Sequence, residues 1–142
     1  MIQRIQTLFL LAALALTSSH LYTTMVVNGN EAVKYSQNTS FYIISIVLSI
    51  ILFLSIFLYR KRMIQIRLSV FATVVLVAYQ VWLGYGYFTA PEGSAFSITI
   101  VFPVISAILT FLAVRYIARD EALVRSVTSL RKVTKKLNRK KR

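Results

Sequence analysis

Residues 41–59 read FYIISIVLSIILFLSIFLY, with no charge, no Gly and no Pro. No other feature constrains the fold of this chain so tightly. A helix needs roughly 20 apolar residues to cross a hydrocarbon core of about 30 Å. In lipid the backbone must satisfy its own hydrogen bonds, which restricts spanning structures to helices and closed barrels. A barrel strand would show about 9–11 residues of strict alternation, and no such alternation appears. Three further blocks, 5–27, 68–88 and 96–114, reach or nearly reach the same length. The expected fold class is therefore all-α: a polytopic membrane protein. Four transmembrane helices would form a bundle over 1–118, followed by a basic, amphipathic C-terminal tail over 119–142.

The charge balance agrees. Only 15% of the 142 residues are charged and 57% are hydrophobic, yet the net charge is +13. A soluble domain carries roughly 25% charged residues. The two facts are compatible when apolar blocks lie in a bilayer and basic blocks outside it. An ordinary soluble enzyme, a disordered chain and a disulfide-stapled secreted domain are excluded. There is no cysteine, so disulfides, thiol nucleophiles and Cys-ligated metals are excluded too, and no cofactor is expected. The first block has some marks of a signal peptide, with one Arg, then LFLLAALAL, then Thr17, Ser18 and Ser19. Because apolar sequence resumes after His20, the block is read as a retained helix. Cleavage near Ser19, leaving three spans, is the alternative.

Basic residues divide unevenly. Of 17 Lys and Arg, 16 fall at the N-terminus, between blocks two and three (Arg60, Lys61, Arg62, Arg67), or after block four; the other is Lys34. Lys and Arg in short loops are retained in the cytoplasm, so both termini are expected there, in a bacterial inner membrane. NGNEAVKYSQNTS and TAPEGSA become outer loops, rich in turn formers. Tyr22, Tyr35, Phe41, Trp82, Tyr85 and Tyr87 fall near the outer block ends, as an interfacial aromatic belt would.

Inside the blocks, His20, Gln80, Ser106 and Thr110 are the candidates for an intramembrane polar pathway, set against a bundle with small-residue seams. No acidic or basic residue accompanies them, and ion or proton relays usually need one. His20 is a lone histidine without partner ligands, which favours a packed polar role over metal binding or pH sensing. Pro103 is expected to kink the fourth helix. Asn38-Thr39-Ser40 matches the glycosylation acceptor pattern.

From Arg115 to Arg142 there is no Gly or Pro, so the fourth helix can continue outward. Leu123, Val127, Leu130, Thr134 and Leu137 form a narrow apolar stripe at helical spacing. The other faces are basic: Arg131, Lys132, Lys135, Lys136, Arg139, Lys140, Lys141 and Arg142 are candidate contacts for anionic lipid headgroups. Coiled-coil pairing, RNA or ribosome contact, and plain solubilisation are the competing readings. RNA is disfavoured because no aromatic follows Tyr116 to stack on bases. Asp120 and Glu121 stand among the basic residues. Glu121 and Arg125 are four apart in the favourable order. A cytoplasmic polar network joining Gln3, Arg4 and Gln6 to Arg115, Asp120, Glu121 and Arg125 would tie the first helix to the last.

Two segments resemble a known family. MIQRIQTLFLLAALAL and FLAVRYIARDEALVRSVTSLR are similar to a bacterial family of small four-span membrane proteins, domain of unknown function 4293. The matching positions are Gln3, Arg4, Ile5, Gln6 and Thr7, then Arg115, Asp120, Glu121, Val124, Arg125, Ser126, Leu130 and Arg131. Thr128 departs from the charged residue usual in the family. The resemblance implies an inner-membrane location and a retained first helix, and it implies no activity.

Three functions are compared. The first is a non-enzymatic assembly or accessory subunit, meeting a protein partner or oligomer through its cytoplasmic face and tail. The second is a small transporter or lipid-binding bundle using polar residues of blocks one, three and four. The third, an intramembrane enzyme, is the weakest, because no catalytic cluster or phosphate-binding loop is present. A continuous polar cavity along Gln80, Ser106 and Thr110 would favour transport, and a dry interior would favour association.

Overall fold

The computed structural model describes residues 2–28, 31–90 and 92–140, with side chains for 5–27, 31–90, 92–134 and 136. Four helices dominate: α1 (Ile2–Ser19), α2 (Thr39–Phe57), α3 (Arg62–Phe88) and α4 (Phe102–Lys140). Short strands β1 (Thr24–Asn28), β2 (Glu31–Lys34) and β3 (Ser94–Phe96) form an antiparallel sheet in the order β2-β1-β3. The helices alternate in direction, and each packs against two neighbours in a ring.

The seams explain the ring. Buried positions recur at Leu10, Ala13 and Thr17 in α1, and at Phe41, Ser45, Leu48, Leu52 and Ser55 in α2. They recur at Gln65, Ser69, Ala72, Leu76, Tyr79 and Leu83 in α3, and at Ser106, Thr110, Ala113 and Ile117 in α4. Steps of four and three alternate, the 3.5-residue period of interlocking helices in bundles. Small and hydroxyl residues occupy much of the interior, while Phe53, Phe57, Val74, Val81 and Phe111 are exposed. A bundle in water would expose no such patch. A bundle in lipid needs small interior residues for close helix approach and apolar residues outside.

Among the described residues, three helical stretches are long and apolar enough to cross a membrane: Thr39–Arg60, Arg62–Phe88 and Ile98–Thr134. The apolar run of α1, Ile5–Ser19, is shorter, about 22 Å at 1.5 Å per residue. The helical bundle expected from the sequence is present, but several details differ.

Block 5–27 is not one helix. It ends as a helix at Ser19, where the Ser19 hydroxyl donates to Leu16 O at 2.6 Å and Thr23 N closes on Ser19 O at 3.1 Å. The β-branched run that follows suits a strand, and β1 finds partners on both sides. The expected outer loops therefore contain β2 and β3. Pairing of Val26 with both Val33 and Phe96 lets this apolar strand satisfy its backbone outside a helix. A register irregularity lies between Thr24 and Val26, and Met25 between them is buried.

Blocks three and four also shift. α3 begins at Arg62, so most of RKRMIQIR is helical rather than loop, and α4 begins at Phe102 after a 3₁₀ turn, Ile98–Val101. Pro103 thus occupies the first turn of α4, where its missing N–H costs nothing, and it is not a mid-helix kink. Tyr35 and Phe41 leave the aromatic belt for the core. α4 crosses the expected boundary at residue 118 without interruption.

Candidate functional site

At the sheet end, the turn after α1 points His20 into the bundle, where it is 1% exposed. Its Nε2 lies 2.9 Å from Thr99 O, and its Nδ1 lies 3.5 Å from the Tyr79 hydroxyl. That hydroxyl lies 3.1 Å from Ser45 Oγ, while Thr99 Oγ1 donates to Thr24 O at 3.3 Å. Tyr35 packs against the imidazole at 4.4 Å between ring centroids, tilted by 38°, and is fully buried. Burial pushes the Tyr35 phenol above its ordinary pKa, because its anion would lose hydration. One residue from each of α1's end, α2, α3 and the turn before α4 meets here. His20 is thus buried and hydrogen-bonded among the described residues. Among the described residues no group of three or more metal-ligating side chains occurs.

Deeper in the bundle, Thr17 Oγ1 donates to Ala13 O at 2.8 Å and Thr110 Oγ1 to Ser106 O at 2.7 Å. Ser106 Oγ lies 3.4 Å from both Thr17 Oγ1 and Ala13 O. These hydroxyls bond locally to helix carbonyls, as Ser and Thr commonly do within helices. Of the four pathway candidates, Ser106 and Thr110 come together and His20 belongs to the neighbouring cluster. Gln80 joins neither, and its buried Oε1 has no hydrogen-bond partner. Sequence reasoning missed Tyr35, Tyr79 and Thr99. The seam spacing 65, 69, 72, 76, 79, 83 is the signal that could have found Tyr79.

The opposite end carries the basic residues. Asp120 faces Arg62 with Oδ2 and Nη1 3.9 Å apart. Glu121 accepts from Arg125 Nε at 3.0 Å, the i,i+4 pair the spacing anticipated. Arg125 Nη2 also reaches Met63 Sδ at 3.1 Å, tying α4 to α3. Arg115 is exposed. The side chains of Gln3 and Arg4 lie outside the described residues, so the α1 part of the expected polar network rests on Gln6, which is buried. Gln6 lines a cavity of about 450 Å³ between α1 and the α2–α3 turn. Beyond Ile117 the tail emerges: Leu123, Val127 and Leu130 are 55%, 64% and 68% exposed. Arg131, Lys132 and Lys136 are exposed as well, whereas the side chains of Lys135, Leu137, Arg139, Lys140, Lys141 and Arg142 lie outside the described residues.

An all-helical bundle with a lipid-type exterior and a basic helical extension defines the class: an apolar helical protein compatible with a membrane. The family model described as Domain of unknown function (DUF4293) matches residues 2–130, and the chain belongs to that family. No curated protein and no solved structure matches it.

Proposed function

We propose that this chain is a four-span inner-membrane protein that catalyses no reaction itself and acts by association, as an assembly or accessory subunit. Both termini face the cytoplasm, and the working surface is the basic end of the bundle together with the tail. The observation that carries this reading is the uninterrupted course of α4 from Phe102 to Lys140. Its last two dozen residues leave the bundle as a helix with a bare apolar stripe and basic flanks. Such a helix suits an anionic membrane surface, or a protein partner seated against that surface. The hydroxyls of Thr17, Thr110 and Ser49 are engaged with helix carbonyls, which favours a packing interior over a polar conduit. α1 is assigned as a span because it packs antiparallel along α4 while Leu8 and Leu11 face outward.

Two experiments test the proposal. Cysteines placed at Ser36, Ser94 and Ser129 in intact cells should separate: an impermeant maleimide should reach the first two and not the third. Labelling at position 129 without position 36 would refute the orientation. Gentle detergent extraction of tagged full-length protein should bring down a stoichiometric membrane partner or a homo-oligomer. Recovery of a monomer alone, at the native expression level, would count against the association role.

A further inference from the structure

The cavity at the basic end has a polar head and an apolar wall. Gln6 is only 6% exposed, yet its Nε2 donates to no described acceptor. Gln65, equally buried, lies beside it in the lining. The buried Arg62 Nη1 likewise makes no hydrogen bond, since Asp120 stands off at 3.9 Å. A buried donor left unpaired costs about 1–3 kcal/mol, and more when charged, and such groups in native proteins call for a partner. Tyr59 adds a phenol at the rim, while Leu8 and Leu11 form the other side and are more than half exposed. The opening therefore faces outward between α1 and the α2–α3 turn, where a bilayer's acyl chains would lie. Arg60 and Lys61 are exposed next to it. The volume falls within the range of about 300–1,000 Å³ typical of ligand pockets.

We infer that this cavity is a binding site for one anionic phospholipid of the leaflet at the basic end. The phosphate accepts from Arg62 Nη1 and from the Gln6 amide, the two buried donors of the lining that make no hydrogen bond. One acyl chain lies along Leu8 and Leu11. Asp120, at 3.9 Å, stands too far off to saturate the guanidinium. The site goes beyond the association role: it is a lateral pocket in the bundle, separate from the surface that the tail presents.

Full-length protein extracted in mild detergent and incubated with mixed phosphatidylglycerol and phosphatidylcholine, then washed, tests this by native mass spectrometry. One phosphatidylglycerol per chain should be retained at least tenfold better than phosphatidylcholine. Arg62→Gln and Gln6→Leu should each lower that retention at least tenfold, and Leu11→Trp should lower it by filling the acyl wall. Arg62→Lys should preserve most of it, and Asp120→Asn should not weaken it, whereas a merely structural Arg62–Asp120 pair would make the two losses alike. Glutamine at Lys132, Lys135 and Lys136 should leave it within twofold, which separates this site from binding by the tail. Circular dichroism and size-exclusion profiles identify variants that fail to fold, and Gln6→Leu and Leu11→Trp decide if Arg62→Gln is one of them. Equal retention of the two lipids, or folded Arg62 and Gln6 variants that keep phosphatidylglycerol, would overturn the inference. So would complete displacement by millimolar glycerol 1-phosphate, which would make the site one for soluble phosphate.

Discussion

The two ends of the bundle differ in how their buried polar groups are partnered. At the sheet end, His20, Tyr79, Ser45 and Thr99 bond to one another or to the backbone, and Tyr35 closes over them, while its own hydroxyl and that of Thr23 make no hydrogen bond. At the basic end, the Gln6 amide makes no hydrogen bond and Arg62 Nη1 has only Asp120 at 3.9 Å, and α4 continues past its last fully buried residue, Ile117. A closed polar cluster contributes order, because every member restricts the rest. An open one is tolerable where something else completes it. On the reading proposed above, the sheet end contributes stability and the basic end recognition.

The largest stability effect should come from the closed end. Tyr35→Ala removes a fully buried aromatic and should cost about 3–5 kcal/mol, measured by denaturant titration in detergent. A loss below about 1 kcal/mol would mean that the sheet end melts separately from the helices and the contrast is misplaced. The tail offers the next largest effect, on binding rather than folding. Glutamine at Lys132, Lys135 and Lys136 should weaken binding of a peptide spanning Arg119 to Arg142 to anionic vesicles by roughly 3 kcal/mol, at about 1 per residue. Added salt should weaken it as well. The free peptide should be largely unstructured and become helical on the vesicles, because a helix draws most of its stability from packing its amphipathic face. Affinity that ignores salt would point to a protein-binding arm instead.

His20→Leu should cost about 1 kcal/mol, since it removes the imidazole's bond to Thr99 O while Thr99 O keeps the Phe102 N–H and the Tyr79 hydroxyl keeps Ser45 Oγ. A neutral result would show that water already reaches this cluster. The smallest effects belong to the remaining pathway candidates. Ser106→Ala should change stability by about 0.6 kcal/mol or less, the average for interhelical polar contacts in bilayers, because its contacts are long at 3.4 Å. Gln80→Leu should be neutral or stabilising, as the Gln80 Oε1 has no partner to lose. A loss above 2 kcal/mol from either would reveal a coupled interior network.

The sequence by itself determined the helical class, the position of α2 to within a few residues, the end of α3, the continuation of α4 into the tail and the Glu121–Arg125 pair. Each follows from a local rule: apolar length, absence of helix breakers, or i,i+4 spacing. Tertiary structure alone decided the rest. Residues 24–28 are as apolar as the helix before them, and only the near partner at 31–34 and the distant one at 94–96 make them a strand. Tyr35 reads as an interfacial residue until the fold sets it over His20. Gln6 reads as a surface polar residue until α3 and the α2–α3 turn close beside it. Strand pairing and burial depend on contacts far apart in the chain, and hydropathy, which sees one segment at a time, carries no record of what will stand opposite.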